Sequence, residues 1–442
     1  MQNKLNVKRT ILVGFAFFLI SAFWQSYDKI VPIILTYRFD MPQWLSGIIM
    51  SLDNVFAVFM LPLFGALSDK VSTRFGRRTP FILVGTVAAV VFYIFLSFAP
   101  SLALFIILLL LTLIAMATFR SPAVALMPDV TEKSLRSKGN AIINLMGTAG
   151  GIAVLGVGLF IKVGESHAKN YPIYVGLVCA IMIAALVVFL LTVKECAWAK
   201  EADARNRALS SDTKEEASSA AEAKHKLSKP EFISLCLILA SVALWFTGYN
   251  AVTSKFSVYV EEVFSFRNEA GAIIGDPKVS YDAALMVAQI AAIIAYIPVG
   301  LISSRFGRKK TILAGIILLS AAFGFAALIN MNTPPLPMYL LFALAGIGWA
   351  TINVNSFPMV VELATGSDVG KYTGYYYTAS MSAQIITPIL SGVLIGWIGW
   401  EIFFPYATIF TTLSFVTMLF VKHGDAKPAQ KASLLEHLDT DD

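Results

Sequence analysis

Twelve long apolar stretches dominate the chain, and no other feature narrows its fold as much. They run over about residues 10–38, 43–68, 79–98, 101–126, 137–163 and 171–193, then 231–260, 280–303, 311–330, 336–361, 371–397 and 400–421. Crossing a bilayer core takes roughly 20 helical residues. Inside lipid every backbone N–H and C=O needs a partner within the protein, and a helix supplies it. The reading is an all-α membrane protein with twelve transmembrane helices. Composition agrees: 57% of residues are hydrophobic and 14% charged, against ~45–50% and ~25% in soluble domains. That excludes an ordinary soluble enzyme, a disordered scaffold and a nucleic-acid binder.

The stretches fall into two sets of six. Residues 1–193 form an N-terminal six-helix bundle and 230–422 a C-terminal one of equal length. Between them, 194–229 is rich in Ala, Glu, Lys and Ser and reads as a solvated linker with some helical propensity. Residues 423–442 are polar, end acidic and read as a disordered tail. Of the 34 Lys and Arg, 26 fall on the side that holds both termini and the linker, and five on the other. By the positive-inside rule that side is cytoplasmic. The first stretch lacks a small-residue cleavage site and reads as a retained helix. The expected location is the cell (inner) membrane, multi-pass, with both termini cytoplasmic. Cys179, Cys196 and Cys236 make no disulfide framework, and no Cys/His spacing suggests a metal site. No cofactor is expected.

The halves repeat each other in detail. GALSDKVSTRFGRRTPF begins at Gly65 and GLISSRFGRKKTIL at Gly300, each just after the second helix of its half. The fourth helix ends SPAVALMPDVT, with Asp129, and the tenth ends NSFPMVVELAT, with Glu362. Two parallel repeats around a central cavity follow. At this point the sequence resembles the major facilitator superfamily. Within it the chain resembles the sucrose:proton symporters and their animal and bacterial relatives, with the glycoside–pentoside–hexuronide symporters as a neighbouring group that shares Pro62, Gly65 and Asp69. PLFGALSDKVSTRFGRRTPFI, from Pro62 to Ile82, carries the sucrose symporters' version of the loop, with its insertion between Asp69 and Gly76. The resemblance implies two six-helix pseudo-symmetric bundles and a cavity lined by the first, fourth, seventh and tenth helices. It also implies cytoplasmic charge clusters that latch the halves when the cavity opens outward. The sequence departs at Ala57 and Leu61, where the glycoside–pentoside–hexuronide relatives carry carboxylates, so their sodium site is not carried over. It departs again at Ala123 and Val124, where the sucrose symporters have an Arg, which leaves the identity of the sugar open.

Three groups of residues could carry the chemistry. The cytoplasmic gate candidates are Gly65, Asp69, Arg77, Arg78 and Asp129, with Arg305, Arg308 and Glu362 in the second half. Within the membrane, charges are costly and mark function by default. Asp28 and Asp53 are the proton-coupling candidates, because His167, His225, His423 and His437 all lie in loops or the tail. A structural ion pair, Asp28 with Lys29 or Asp53 with Arg120, is the alternative. Sugar binding needs aromatic faces and neutral hydrogen-bonding groups. Candidates are Trp24, Gln25, Tyr27, Asn54, Arg120, Asn144, Trp245, Asn250, Gln289, Trp349, Asn353, Asn355, Tyr376 and Gln384.

These readings lead to a secondary active transporter for proton-coupled uptake of a sugar or glycoside, acting as a monomer in the lipid bilayer, with sodium as the alternative ion. A uniporter or exporter of another small polar solute is the second reading, and a membrane sensor a third. No nucleophile–base pair or metal-ligand set supports an enzyme, and no large soluble domain supports a sensor.

Overall fold

The computed structural model describes residues 5–132, 135–212, 228–363 and 369–424. Residues 213–227 of the linker and the tail from 425 onward lie outside the described residues. Among the described residues, twelve helices are long and apolar enough to cross a membrane. In the first half they are α1 (Val7–Ile33), α2 (Gln43–Lys70), α3 (Thr79–Phe98), α4 (Leu102–Val130), α5 (Arg136–Phe160) and α6 (Tyr171–Thr192). In the second they are α8 (Lys229–Phe264), α9 (Tyr281–Phe306), α10 (Arg308–Ala326), α11 (Leu336–Val361), α12 (Val369–Ile398) and α13 (Phe403–Leu419). The start of the linker is itself a helix, α7 (Glu195–Asp212), which packs on α4. A short antiparallel hairpin, β1 (Ser265–Arg267) and β2 (Ile273–Pro277), joins α8 to α9.

Each half has its own apolar core, while large side chains such as Phe160, Leu191 and Trp397 stand exposed on the outer faces. Those faces suit lipid, where an exposed apolar side chain carries no penalty. Small residues let helices approach closely within a half. A methyl at Gly150 of α5 would collide with the Phe18 backbone of α1.

The Arg-Phe-Gly-Arg loops that the sequence repeats are explained by their glycines. Gly76 has φ +122° and Gly307 φ +94°, a backbone region that glycine enters at little cost. Each turn delivers an arginine to the carboxylate ending the fourth helix of its half. Arg77 Nη2 lies 3.5 Å from Asp129, and Arg308 pairs with Glu362.

The end bearing the described chain ends and α7 is called here the termini end, and the opposite one the far end. The halves meet through α1 on α8, α5 on α9 and α2 on α12. Pro32 shapes one of these contacts. It has no N–H for the Asp28 carbonyl one turn earlier, and that carbonyl accepts from the Ser257 hydroxyl of α8 at 3.5 Å.

Candidate functional site: a cavity between the halves

At the far end the two halves are joined by a dense set of contacts. Lys29 of α1 donates to Asp282 of α9 at 2.6 Å, with side chains only 4% and 7% exposed. The ammonium also sits over the Tyr174 and Tyr281 rings. Lys255 of α8 is buried and donates to the Gln43 carbonyl and side-chain oxygen of α2, at 3.0 and 3.2 Å. Tyr37 donates to Glu262 at 2.8 Å. Two backbone approaches depend on glycine: a Cβ on Gly47 would overlap the Pro388 carbonyl, and one on Gly392 the Gln43 backbone.

The hairpin adds an outer tie, in which Asp276 of β2 meets Lys162 and His167 of the α5–α6 loop. Burial raises the Asp276 carboxyl, but the hydrogen bonds from Lys162 and His167 outweigh it and hold the carboxyl below its ordinary value. This tie is therefore present at neutral pH and is lost as pH falls through that lowered value.

Beneath this closure lies a cavity of about 530 Å³. Its walls come from α1, α4, α5, α8, α9 and α11, with Phe323 of α10. Toward the far end the wall residues Tyr281 and Phe342 are 5% and 4% exposed. Toward the termini end Val124 and Leu145 are 46% and 38% exposed. The cavity is thus shut at the far end and open at the termini end. Its lining mixes flat rings with amides. Tyr249 and Trp349 stack at 5.9 Å and 23°, and Tyr296 meets Trp349 edge-on. Gln25, Gln289, Asn144 and Asn250 are the amides, and Asp28 and Arg120 the charges.

A side chamber of about 180 Å³ holds Asp53, Asn54 and Gln384 and shares Trp24, Asp28, Arg120, Asn250 and Thr253 with the main cavity. Asp53 accepts from the backbone and side-chain N–H of Asn54, at 2.6 and 2.7 Å. The Arg120 guanidinium lies over the Trp24 ring at 5.6 Å. Neither ion pair given as the alternative to proton coupling forms a salt bridge among the described residues: Lys29 turns from Asp28 to Asp282, and the Arg120 guanidinium lies over Trp24.

The sequence candidates divide by place. Trp24, Gln25, Arg120, Asn144, Asn250, Gln289 and Trp349 line the cavity, with Asp28, while Asp53, Asn54 and Gln384 line the side chamber. Tyr27 is buried in the first core against Phe23, and Trp245 in the second, stacked on Phe246. Asn353 is buried in α11. Asn355 bonds to Ser303 and to the Thr351 carbonyl, and Tyr376 to Ser356, so these two tie helices together within the second half.

At the termini end, Arg78 bonds to Asp69 at 2.5 Å and Asp129 at 2.8 Å, with the Gly65 carbonyl at 3.5 Å. Arg305 lies over the Phe306 ring. The ion pairs of the gate candidates thus join elements of the same half in this conformation.

Sequence reasoning missed three features. Tyr281 and Tyr296 of α9 and Gly147 and Gly151 of α5 line the cavity but were not among the sequence candidates, although Gln289 and Asn144 of the same helices were. The Lys29–Asp282 pair went unseen. Glu195, placed in a solvated linker, is in fact 3% exposed. Its carboxylate accepts from the N–H groups of Arg77, Arg78 and Thr79 and from the Thr79 hydroxyl, capping the N-terminus of α3. Helix N-terminal N–H groups lack partners within the helix, and an acidic group there is favoured twice over. Replacing Glu195 by Ala is expected to lower stability by about 1–2 kcal/mol, with Gln milder. Thermal unfolding of the detergent-purified variants checks this; an unchanged midpoint would contradict it.

A family model described as MFS/sugar transport protein matches residues 13–398. An uncharacterised MFS-type transporter of Methanocaldococcus jannaschii is 24% identical over 416 residues, spanning 94% of this chain and 95% of that protein. The solved nucleoside transporter NupG superposes with a TM-score of 0.68 at 14% identity, covering 93% of this chain and 100% of that one. The inward open xylose transporter XylE from E. coli gives 0.67 at 12% identity, covering 97% and 98%. At such identities the likeness to these structures is one of fold.

Proposed function

The chain belongs to the MFS/sugar transport protein family, and from that membership we propose that it takes a sugar or glycoside into the cell together with a proton. The observation that carries this reading is the cavity, about 530 Å³ with stacked rings on one wall and neutral amides on others. Rings meet the C–H faces of a sugar and amides its hydroxyls. The solute binds between the halves, the halves rock, and the cavity opens on alternate sides. The basic bias of the termini end supports placing that end in the cytoplasm. On that orientation the conformation described here is the inward-open one. The gate clusters, each paired within its own half, are then ready to latch when the cavity turns outward.

Asp28 and Asp53 are the proton carriers in this proposal. Asp28 lines both chambers and Asp53 the smaller one, so sugar and proton sites adjoin. A proton moving down ~100 mV supplies ~2.3 kcal/mol, which supports about fifty-fold accumulation. The protein works as a monomer in the bilayer, and no cofactor enters the cycle.

The test uses purified protein in liposomes loaded with a pH-sensitive dye. Added glycosides or monosaccharides are expected to acidify the interior. Asp28→Asn or Asp53→Asn is expected to abolish acidification while exchange of labelled sugar persists. If labelled sugar equilibrates with no acidification under any imposed potential, the protein is a uniporter and proton coupling is wrong.

A further inference from the structure

Two glutamines meet across the cavity, one from each half. Gln289 of α9 donates its Nε2–H to Gln25 Oε1 of α1 at 2.7 Å, and Gln25 Nε2 reaches the Tyr281 hydroxyl at 3.3 Å. A carboxamide offers two donors and an oxygen with two lone pairs. Among the described residues Gln289 Oε1 is buried without a hydrogen-bond partner, so the pair is only partly satisfied. Both side chains line the cavity. Gly151 of α5 lies beside them: a Cβ there would stand 3.1 Å from Gln289 Oε1 and 3.6 Å from Gln25 Oε1. The absence of a side chain at Gly151 keeps room next to both amides. The Tyr249–Trp349 stack forms part of the same cavity wall.

We infer that Gln25 and Gln289 are the specificity-determining pair, binding two neighbouring hydroxyls of one pyranose ring and giving up their mutual hydrogen bond to do so. This rests on the sugar-transport reading. Neighbouring ring hydroxyls sit about a hydrogen bond apart, as the two amides do. Each amide can accept from one hydroxyl and donate to it, which also satisfies Gln289 Oε1. The bound ring then replaces the Gln–Gln bond as the tie between the halves. A sugar lacking either hydroxyl leaves one amide unpaired, and an unpaired polar group in a closed site is costly.

The experiment measures uptake of the transported sugar and its single-deoxy analogues in liposomes, for wild type, Gln25→Ala, Gln289→Ala and Gly151→Ala. In wild type, removing either of two adjacent hydroxyls is expected to raise KM about ten- to a hundredfold. Gln25→Ala is expected to lose the penalty at one of those positions and Gln289→Ala at the other. Gly151→Ala is expected to raise KM for the parent sugar and leave stability unchanged. If both glutamine variants slow all analogues equally, the pair only holds helices together and the inference falls, while sugar transport stands. If the sensitive hydroxyls are not adjacent, the inference falls as well. If no sugar is carried, it falls together with the reading beneath it.

Discussion

Replacing Lys29 or Asp282 alone is expected to reduce transport about tenfold or more. Each side chain is buried, and the pair crosses from α1 to α9 at 2.6 Å. Removing one partner of a buried pair leaves the other charge uncompensated, at a cost of about 3–5 kcal/mol. That cost falls on the conformation closed at the far end, because opening there would let water reach the orphaned group. Each 1.4 kcal/mol is a factor of ten in population, so Lys29→Met or Asp282→Leu would displace the conformational balance by two decades or more. Replacing both together, Lys29→Met with Asp282→Leu, removes both charges and is expected to recover much of the closure. The reversed pair, Lys29→Asp with Asp282→Lys, tests the same point with the charges kept. Uptake by liposomes and far-end accessibility to a membrane-impermeant thiol reagent, at an introduced cysteine, read the outcome. Single variants with near wild-type uptake would contradict the assignment.

The second large effect concerns the glycines at the same closure. A methyl on Gly47 would overlap the Pro388 carbonyl of α12, and one on Gly392 the Gln43 backbone of α2. Backbone cannot swing aside as a flexible side chain can. Overpacking costs about 1–3 kcal/mol even in adaptable cores. Gly47→Ala and Gly392→Ala are therefore expected to hold the far end apart and cut turnover about tenfold or more. Gly156 of α5 and Gly396 of α12 are internal controls, since among the described residues a Cβ at either meets nothing within 4 Å. Their alanine variants are expected to transport within about twofold of wild type. The measurement is uptake per molecule of folded protein. Equal loss across all four glycines would point to helix propensity rather than closure.

Much of this architecture was legible beforehand because lipid imposes it. Each apolar stretch must be a helix, and the structure starts and ends most of them within a few residues of the expected bounds. The Arg-Phe-Gly-Arg repeat pointed to paired turns, and Gly76 and Gly307 make them. What stayed hidden depended on rotation and distance. α8 sends polar side chains toward several neighbours, Ser241 to α13, Lys255 to α2 and Asn250 to the cavity, so its sequence does not single out one cavity face; Trp245 read as wall yet is buried in the core. Asp282 sits in the first turn of α9, at the very edge of an apolar stretch, where the sequence gives no partner for it. Its partner Lys29 lies 253 positions away. Glu195 stood in a run of charged linker residues, and only the fold brings it onto the start of α3.

The central claim is that a sugar is carried through the cavity between the halves. Counterflow tests it most directly. Liposomes holding purified protein and a high internal concentration of unlabelled sugar are diluted into a trace of the labelled one. Transient accumulation of label is expected for one class of sugar or glycoside, saturable by that class and absent from protein-free liposomes. No counterflow with any sugar, alongside clear counterflow of a nucleoside or a short peptide, would contradict it.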